Sequence, residues 1–455
     1  MRAAAIVLGL LLCRQAAAQA LDGRPAGAAG LALAGCGASG LRSPAALWTN
    51  PALLPQARFH LGLELGLLSD TRQLTVTEVV NQPALARDLD GAHLSPGLVL
   101  AHPLGLSWLW GAVGYQLARQ VHSRYPAEQL DAAGRVARAA PARYLGDELT
   151  LEQHVVALAL AAGGRRAGLG ASLELSHVRL AHRRAWWAGA TGDRSIVGDP
   201  RLDLDAAVSG KNTLDVGALL GGWVRPLTWL EVGVAVRVPT TAGIDGEVTL
   251  SPGPRAPAGT EALDVRGGSA RLELHLPLEL RAGVTLGPPR WRLTVEAGYQ
   301  RWSSADQPTA ELQGAALLLS PSSGAPYEQP LERLPLGIGL RDTLVLRAGL
   351  ELAPWGERLV LRTGYAYHRG ASVSRLPSPV LLDLDRHVWG LGVEARLGRL
   401  ALGAAFAHDF EARLDASESR TELMNPVEPA VTGPIGAGLY QGSRVQIIFE
   451  ATVGW

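Results

Sequence analysis

The chain has 455 residues, with 42 basic and 42 acidic side chains, so its formal net charge of zero gives no electrostatic argument for nucleic acid or an acidic partner. Hydrophobic residues make up 47% and charged residues only 18%, with 54 glycines, an oily balance for an exported soluble protein. Beyond the N-terminus no apolar run approaches the ~18 residues that a membrane-crossing helix needs, which excludes helical spans.

In chain order, Arg2 precedes an apolar run from Ala3 to Cys13, followed by Ala18-Gln19-Ala20. This small-x-small pattern predicts a secretory signal peptide over residues 1–20, with the mature chain starting near Leu21. Leu12 is too bulky for Cys13 to be a lipoprotein attachment site. With Cys13 removed, Cys36 is the single thiol, so no disulfide framework exists and Cys36 reads as a small buried hydrophobe. Residues 21–57 carry Gly27, Gly30, Gly35, Gly37 and Gly40 among alanines, then Trp48, Asn50, Pro51 and Ala52. Side chains this small cannot form a core of their own, but they can pack compactly inside a lumen. The expectation is a plug over 21–57 and a barrel over 58–455.

From residue 58 onward the hydrophobic pattern has period two, the signature of strands with one apolar face. Fourteen are predicted, at 58–68, 93–102, 106–121, 150–162, 167–182, 201–224, 228–240, 263–286, 290–302, 343–352, 358–368, 387–397, 399–409 and 441–455. Thr228–Thr240 sets Leu230, Val232, Val234, Val236 and Val238 against Glu231 and Arg237, and Thr343–Leu352 sets five apolar side chains against Arg347 and Glu351. The last segment, Ser443 to Trp455, alternates in the same way and stops on an aromatic residue. Two strands are irregular: 201–224 breaks at Lys211-Asn212, and Pro277 interrupts 263–286. Proline there must break a ladder hydrogen bond or mark a bulge, which makes Pro277 a candidate kink that opens the wall.

The connections alternate as well. Pro103–Gly105, Gly163–Arg166, Arg225–Leu227, Gly287–Pro289, Ala353–Glu357 and the lone Gly398 are short, whereas 69–92, 122–149, 183–200, 241–262, 303–342, 369–386 and 410–440 are long. Short turns on one side and long loops on the other describe an up-and-down membrane barrel, and the even count returns both ends to one side. Lipid offers no hydrogen bonds, so only a closed sheet can span it. Apolar faces then look outward, placing Glu273, Arg281, Arg347, Glu351, Arg362, Glu394, Arg396, Arg444 and Glu450 inside. A soluble sandwich or propeller suits strands this long and loops this uneven poorly. A barrel of this size is too wide for side chains alone to fill and narrower than an open porin, so it needs a plug or passes solute.

The stretch Ala45-Ala46-Leu47-Trp48-Thr49-Asn50-Pro51-Ala52-Leu53 resembles the N-terminal plug of the FadL-type outer-membrane transporters. Tyr299-Gln300-Arg301-Trp302-Ser303, Arg347-Ala348-Gly349 and Leu382-Asp383-Leu384-Asp385-Arg386 are similar to that family's late-barrel segments, as is the terminal aromatic. The resemblance covers essentially the whole mature chain. It implies a monomer in the bacterial outer membrane that carries long-chain fatty acids or aromatic hydrocarbons passively, with capture among the outer loops and release as the plug shifts, often by lateral exit through a strand kink. Its partners would be a hydrophobic small molecule and outer-membrane lipid, without nucleic acid, metal or cofactor. Asn50, Pro51 and Ala52 would be the plug motif.

The chain departs from that family in having only four Phe, with lumen-facing positions rich in Arg, Glu and Gly. An inward Arg237, Arg281, Arg347 or Arg362 is a candidate to hold a carboxylate head group. The alternative is that these arginines pair with inward glutamates. Trp186-Trp187, read as part of an outer loop, would greet ligand or lipid or form an interfacial girdle. No catalytic motif occurs: there is no H-E-x-x-H and no G-x-S-x-G, and the eleven histidines lack metal-ligand spacing. The sequence reading is therefore passive transport, not enzymatic, with a non-transporting scaffold of secretion or assembly machinery as the alternative and a lipid hydrolase as a more distant one.

Overall fold

The computed structural model describes residues 27–454 apart from 58, 79–84, 125–127, 131–135, 140–143, 146–147, 190–201, 254–259, 337, 379–380, 412, 423–424 and 428–433. The expected signal peptide, the first residues of the expected plug and Trp455 lie outside the described residues.

Fourteen antiparallel strands close into a barrel. The first five are β1 (Phe59–Glu78), β2 (Leu85–Pro103), β3 (Leu109–Arg124), β4 (Glu148–Gly163) and β5 (Ala167–Trp187). Each of the next three runs in two segments: β6 (Asp203–Lys211 and Asp215–Leu227), β7 (Leu230–Arg237 and Thr240–Pro252) and β8 (Gly268–Leu276 and Glu279–Leu286). A short 3-10 turn separates Trp291–Gln300 from Thr309–Gln313 in β9. The circuit ends with β10 (Thr343–Leu352), β11 (Leu359–His368), β12 (Arg386–Leu397), β13 (Leu400–Glu411) and β14 (Ala437–Gly454). β14 pairs with β1 along its length, from Phe59↔Gly454 to Glu78↔Ala437, which leaves the barrel without an edge. Short turns are kept tight by glycine where needed: Gly398, with φ of 66°, turns β12 into β13.

Several expected bounds are corrected. The expected loop 241–262 is strand as far as Pro252, and the expected loop 303–342 contains the Thr309–Gln313 segment of β9. Much of 69–92 is strand, because β1 and β2 pair outward as far as Val76↔Leu85. Residues Thr260–Arg266 do not belong to β8 but pair with Ala316–Pro321 in a small separate sheet.

In the lower part of the barrel the outward side chains are apolar and exposed, among them Leu158, Leu160, Leu169, Leu173, Val224, Val295, Leu346, Leu391 and Phe449. Their inward neighbours include Glu174, Glu231, Glu296, Arg347, Glu351 and Arg362, all buried. An oily exterior around a charged interior is stable only where the exterior meets lipid.

Higher up, the arrangement inverts. In β5 the outward residues change from Leu173 and Leu175 to His177 and Arg179, while inward Val178 and Leu180 are buried. Three adjacent strands make the inversion by exchanging faces at one level, at Asn212–Leu214 in β6, Val238–Pro239 in β7 and Pro277–Leu278 in β8. In β6 the Asn212 side chain bridges the break, accepting from the Val178 amide at 2.6 Å and donating to the Ser176 carbonyl at 3.4 Å. Below Pro277, Leu280 faces out and Glu279 is buried inside; above it, Leu272 is buried and Glu273 is exposed. The expectation that Glu273 faces the bore is therefore wrong. Above the hydrocarbon the outside is wet and the inside is enclosed, so the ordinary rule of a buried apolar face returns. Arg396, also expected inside, lies partly exposed and pairs with Glu357 of the turn after β10.

The upper interior is a packed apolar cluster that includes Val121, Leu151, Leu180, Trp186, Trp187, Leu272, Trp302 and Tyr440. Trp186 and Trp187 end β5 and are completely buried, so they neither greet lipid nor form a girdle.

Residues 27–57 fill the lower interior. They form α1 (Gly27–Ala32), α2 (Ala46–Thr49), a 3-10 turn (Pro51–Leu53) and α3 (Leu54–Ala57), nearly all of it buried. Wall glycines let the main chains meet. A Cβ on Gly221 would lie 1.9 Å from the Asn50 side-chain oxygen, and one on Gly233 would lie 1.9 Å from the Ala38 carbonyl oxygen. The contact at Gly233 is backbone and cannot swing away. Gly233→Val is therefore expected to leave the barrel closed but drive residues 27–57 out of their seat. Limited proteolysis of the folded protein would then cut within this segment, whereas Gly243→Ala, whose Cβ meets open space, would leave it protected.

Candidate functional site

The segment inside the barrel brings one charged side chain of its own, Arg42; the wall supplies the rest. Wall carboxylates accept its backbone amides. Glu64 takes the Gly27 amide at 2.7 Å, Glu450 the Ala28 amide at 2.8 Å, and Glu231 the Gly40 amide at 2.7 Å. Glu296 takes both the Gly37 and Ala38 amides at 2.7 Å each. Wall arginines donate to its carbonyls: Arg281 to Gly35 at 3.2 Å, Arg292 to Gly40 at 2.8 Å and Arg237 to Trp48 at 2.9 Å. Such charge-assisted bonds are stronger than neutral ones. They explain the unusual composition on both sides of the contact, glycine and alanine in the segment and Glu and Arg on the wall.

Asn50 acts as a three-way tie. Its amide nitrogen donates to the carbonyls of Ala38 (2.7 Å), Gly222 of β6 (3.2 Å) and Val234 of β7 (3.3 Å). Its oxygen accepts the Ala52 amide at 3.1 Å, capping the turn in which Pro51 takes the first position. Trp223 of β6 donates to the Ala52 carbonyl at 2.9 Å. Asn50, Pro51 and Ala52 thus form the joint between the segment and the β6–β7 wall.

The four arginines singled out in the sequence all face the interior, and all are paired. Glu174, Arg237, Glu279, Arg281, Glu296 and Arg347 form one alternating ladder across β5, β7, β8, β9 and β10, with successive separations of 3.0, 2.5, 2.7, 3.5 and 3.0 Å. Three acids balance three bases along it. Arg362 belongs to a second set, bridging Glu351 at 2.8 Å and Glu394 at 2.9 Å, with Arg292 on the far side of Glu351. A third set joins Asp383, Arg386, Asp409 and Arg444.

Between the segment and the apolar cluster lies a cavity. Trp48 and Thr49 border it from the segment, and the ladder arginines Arg237, Arg281 and Arg347 border it from the wall, while Arg362 does not. One strand step above its lining the apolar cluster begins, with Val121 beyond Arg119, Leu151 beyond Gln153 and Val178 beyond Ser176.

The wall beside this cavity is split. β2 and β3 are paired only from Gly97↔Gln116 to Pro103↔Trp110. Above that, among the described residues, β2 pairs only with β1 and β3 only with β4, and the Ser95 hydroxyl reaches across the gap to the Leu117 carbonyl at 3.3 Å. Pro96 has no amide hydrogen to donate, and the ladder stops beside it. In β3 the register shifts between Leu117 and Arg119, so Ala118 is the extra residue of a bulge. A second, smaller pocket sits at the split and shares Ala118, Arg119, Arg444 and Gln446 with the central one.

Sequence reading missed this opening. Pro96 in β2 was its signal, overshadowed by Pro277. The Pro277 break also touches the central cavity, but buried Trp302 and Ala305 of the β9 turn fill the wall next to it. Outside that wall is a polar groove lined by Glu273, His275 and Asp306, among others.

Cys36 lies where the segment meets the wall, 1% exposed, and burial pushes its thiol well above the usual range, with Glu296 adding to the effect. The thiolate is the reactive form, so Cys36 is expected to resist a charged maleimide in the resting protein. Labelling under native conditions checks this, and Gly233→Val is expected to make the thiol react.

The fold has clear counterparts among solved structures. A FadL homologue of Pseudomonas aeruginosa superposes with a TM-score of 0.74 at 15% identity, over 96% of this chain and 99% of that one. The Pseudomonas putida toluene transporter TodX gives 0.63 at 15% identity, over 96% and 100%. The Ralstonia pickettii toluene transporter TbuX gives 0.59 at 16%, over 95% and 99%. No protein-family model and no curated protein sequence matches the chain. At these identities the likeness is one of fold.

Proposed function

We propose that this protein is a monomeric outer-membrane barrel, exported by a leader over residues 1–20, that passes hydrophobic small molecules down their gradient. The observation that carries the reading is the cavity between segment and apolar cluster, continuous in its lining with the split between β2 and β3. A solute entering past the apolar cluster reaches the cavity, and the split offers a lateral way out that does not require the tightly tied segment to leave. Residues 27–57 serve as the plug, with Asn50, Pro51 and Ala52 as its hinge point on the wall. The solved structures described as toluene transporters share the fold, which supports the same class of cargo.

The ladder narrows that class. Arg237, Arg281 and Arg347 already share three carboxylates, so a fatty-acid head group would have to displace a wall glutamate to reach them. Uncharged compounds such as monoaromatic hydrocarbons face no such competition. Competition between labelled toluene and oleate tests this point: toluene flux is expected to persist in excess oleate, and strong inhibition by oleate would favour carboxylate binding. A purely scaffolding role gives no account of an open cavity joined to a parted wall.

A further inference from the structure

The lower rim of the barrel carries a charge pattern that the passage does not use. Four of the six short turns present arginine, Arg165 and Arg166 after β4, Arg290 after β8, Arg358 after β10 and Arg399 after β12, and Arg225 stands at the lower end of β6. Glu357 is the single acid in these turns, and it pairs with Arg396, while Arg225 is held by Glu231. Arg165, Arg166, Arg290, Arg358 and Arg399 are exposed and have no ion pair among the described residues. At the same level Trp108, Trp229, Trp291 and Trp355 are 49%, 51%, 46% and 69% exposed.

We propose that this rim binds the phosphate groups of anionic phospholipid in the inner leaflet. The distribution argues for lipid over a protein. The arginines are spread around the perimeter, each just beyond a lipid-facing residue such as Leu169, Leu293, Leu352 or Leu397, where headgroups begin. A protein partner would select a compact patch. Half-exposed tryptophans at this height are what a membrane–water boundary favours, and arginines beside them add the attraction of fixed positive charge for an anionic surface. The turn between β2 and β3, Leu104 to Trp108, has no charged residue, so the anionic annulus is interrupted under the split wall. That side is left to neutral lipid.

The rim tryptophans report directly on neighbouring lipid. The full-length protein in phosphatidylethanolamine vesicles, with brominated phosphatidylglycerol or brominated phosphatidylethanolamine as minor component, should show preferential quenching by the anionic lipid. An enrichment of about fivefold corresponds to one fully engaged arginine. The preference should weaken in high salt, persist when all five free arginines become lysine, and vanish in Arg165→Glu with the same change at Arg166, Arg290, Arg358 and Arg399. Should that variant fail to fold, the glutamine version and the salt titration of the native protein give the same reading. Equal quenching by the two lipids in the native protein overturns the proposal, and would leave an acidic protein as the rim's partner. This inference rests on membrane placement, not on solute passage, so either can fail without the other.

Discussion

Glu296→Ala is expected to destabilise the folded protein by about 3–5 kcal/mol, the scale for removing one partner of a buried charged network. The Glu296 side chain is 1% exposed, and it accepts the Gly37 and Ala38 amides while balancing Arg347 at 3.0 Å and Arg281 at 3.5 Å. Truncation strands two amides and two guanidinium groups in a closed interior. Glu296→Gln retains the shape and an acceptor oxygen but not the charge, and should fall between alanine and the native protein. Denaturant titration of the folded barrel in detergent measures both. A cost under about 1 kcal/mol, the range of exposed pairs, would mean that water reaches the ladder and that the plug is held by other contacts.

Deletion of Ala118 is expected to bring hydrophobic flux down to the level seen without the protein, with little effect on folding. Leu117 lies opposite His154 and Arg119 opposite Gln153, successive positions on β4, so removing the extra residue makes the β3–β4 ladder regular without turning any other side chain. The bulge bends β3 away from β2 where their pairing ends. A regular β3 can extend that pairing past Gly97↔Gln116 and close the split. Unchanged flux in a correctly folded deletion variant would remove the lateral route and leave a path past the plug.

Much of the barrel was readable from residues alone because strand, turn and loop leave separate marks. Leu230 to Val236 against Glu231 and Arg237 fixes a strand and its two faces, and the structure has those faces as read. The β8 stretch shows where such reading stops. Leu272, Leu274, Leu276, Leu280 and Leu286 share one parity, so the pattern runs unbroken through Pro277 while the chain exchanges its faces there. Parity records which side chains are apolar, not whether they look at lipid or at a buried interior. Two solvents along one strand, hydrocarbon below and water above, give the same alternation with opposite sense.

The site was legible in its pieces but not in its assembly. Small residues in 27–57 pointed to a compact insert, and Asn50 now accounts for three carbonyls and a cap. The inward arginines were found, but their order in a neutral ladder depends on which strands lie side by side across the barrel, which spacing along the chain does not report. The β2–β3 split was hidden for a related reason: Ala118 is one unremarkable alanine whose role appears only against its partners on β4.

The central claim is that the cavity and the split wall together conduct hydrophobic solute. Its most direct test is the initial rate at which cells take up labelled toluene with and without this protein in the outer membrane, at matched expression of a barrel that lacks an internal cavity. Faster uptake with the protein, lost on deletion of Ala118, is the predicted result. The same rate in its presence and absence would contradict the claim.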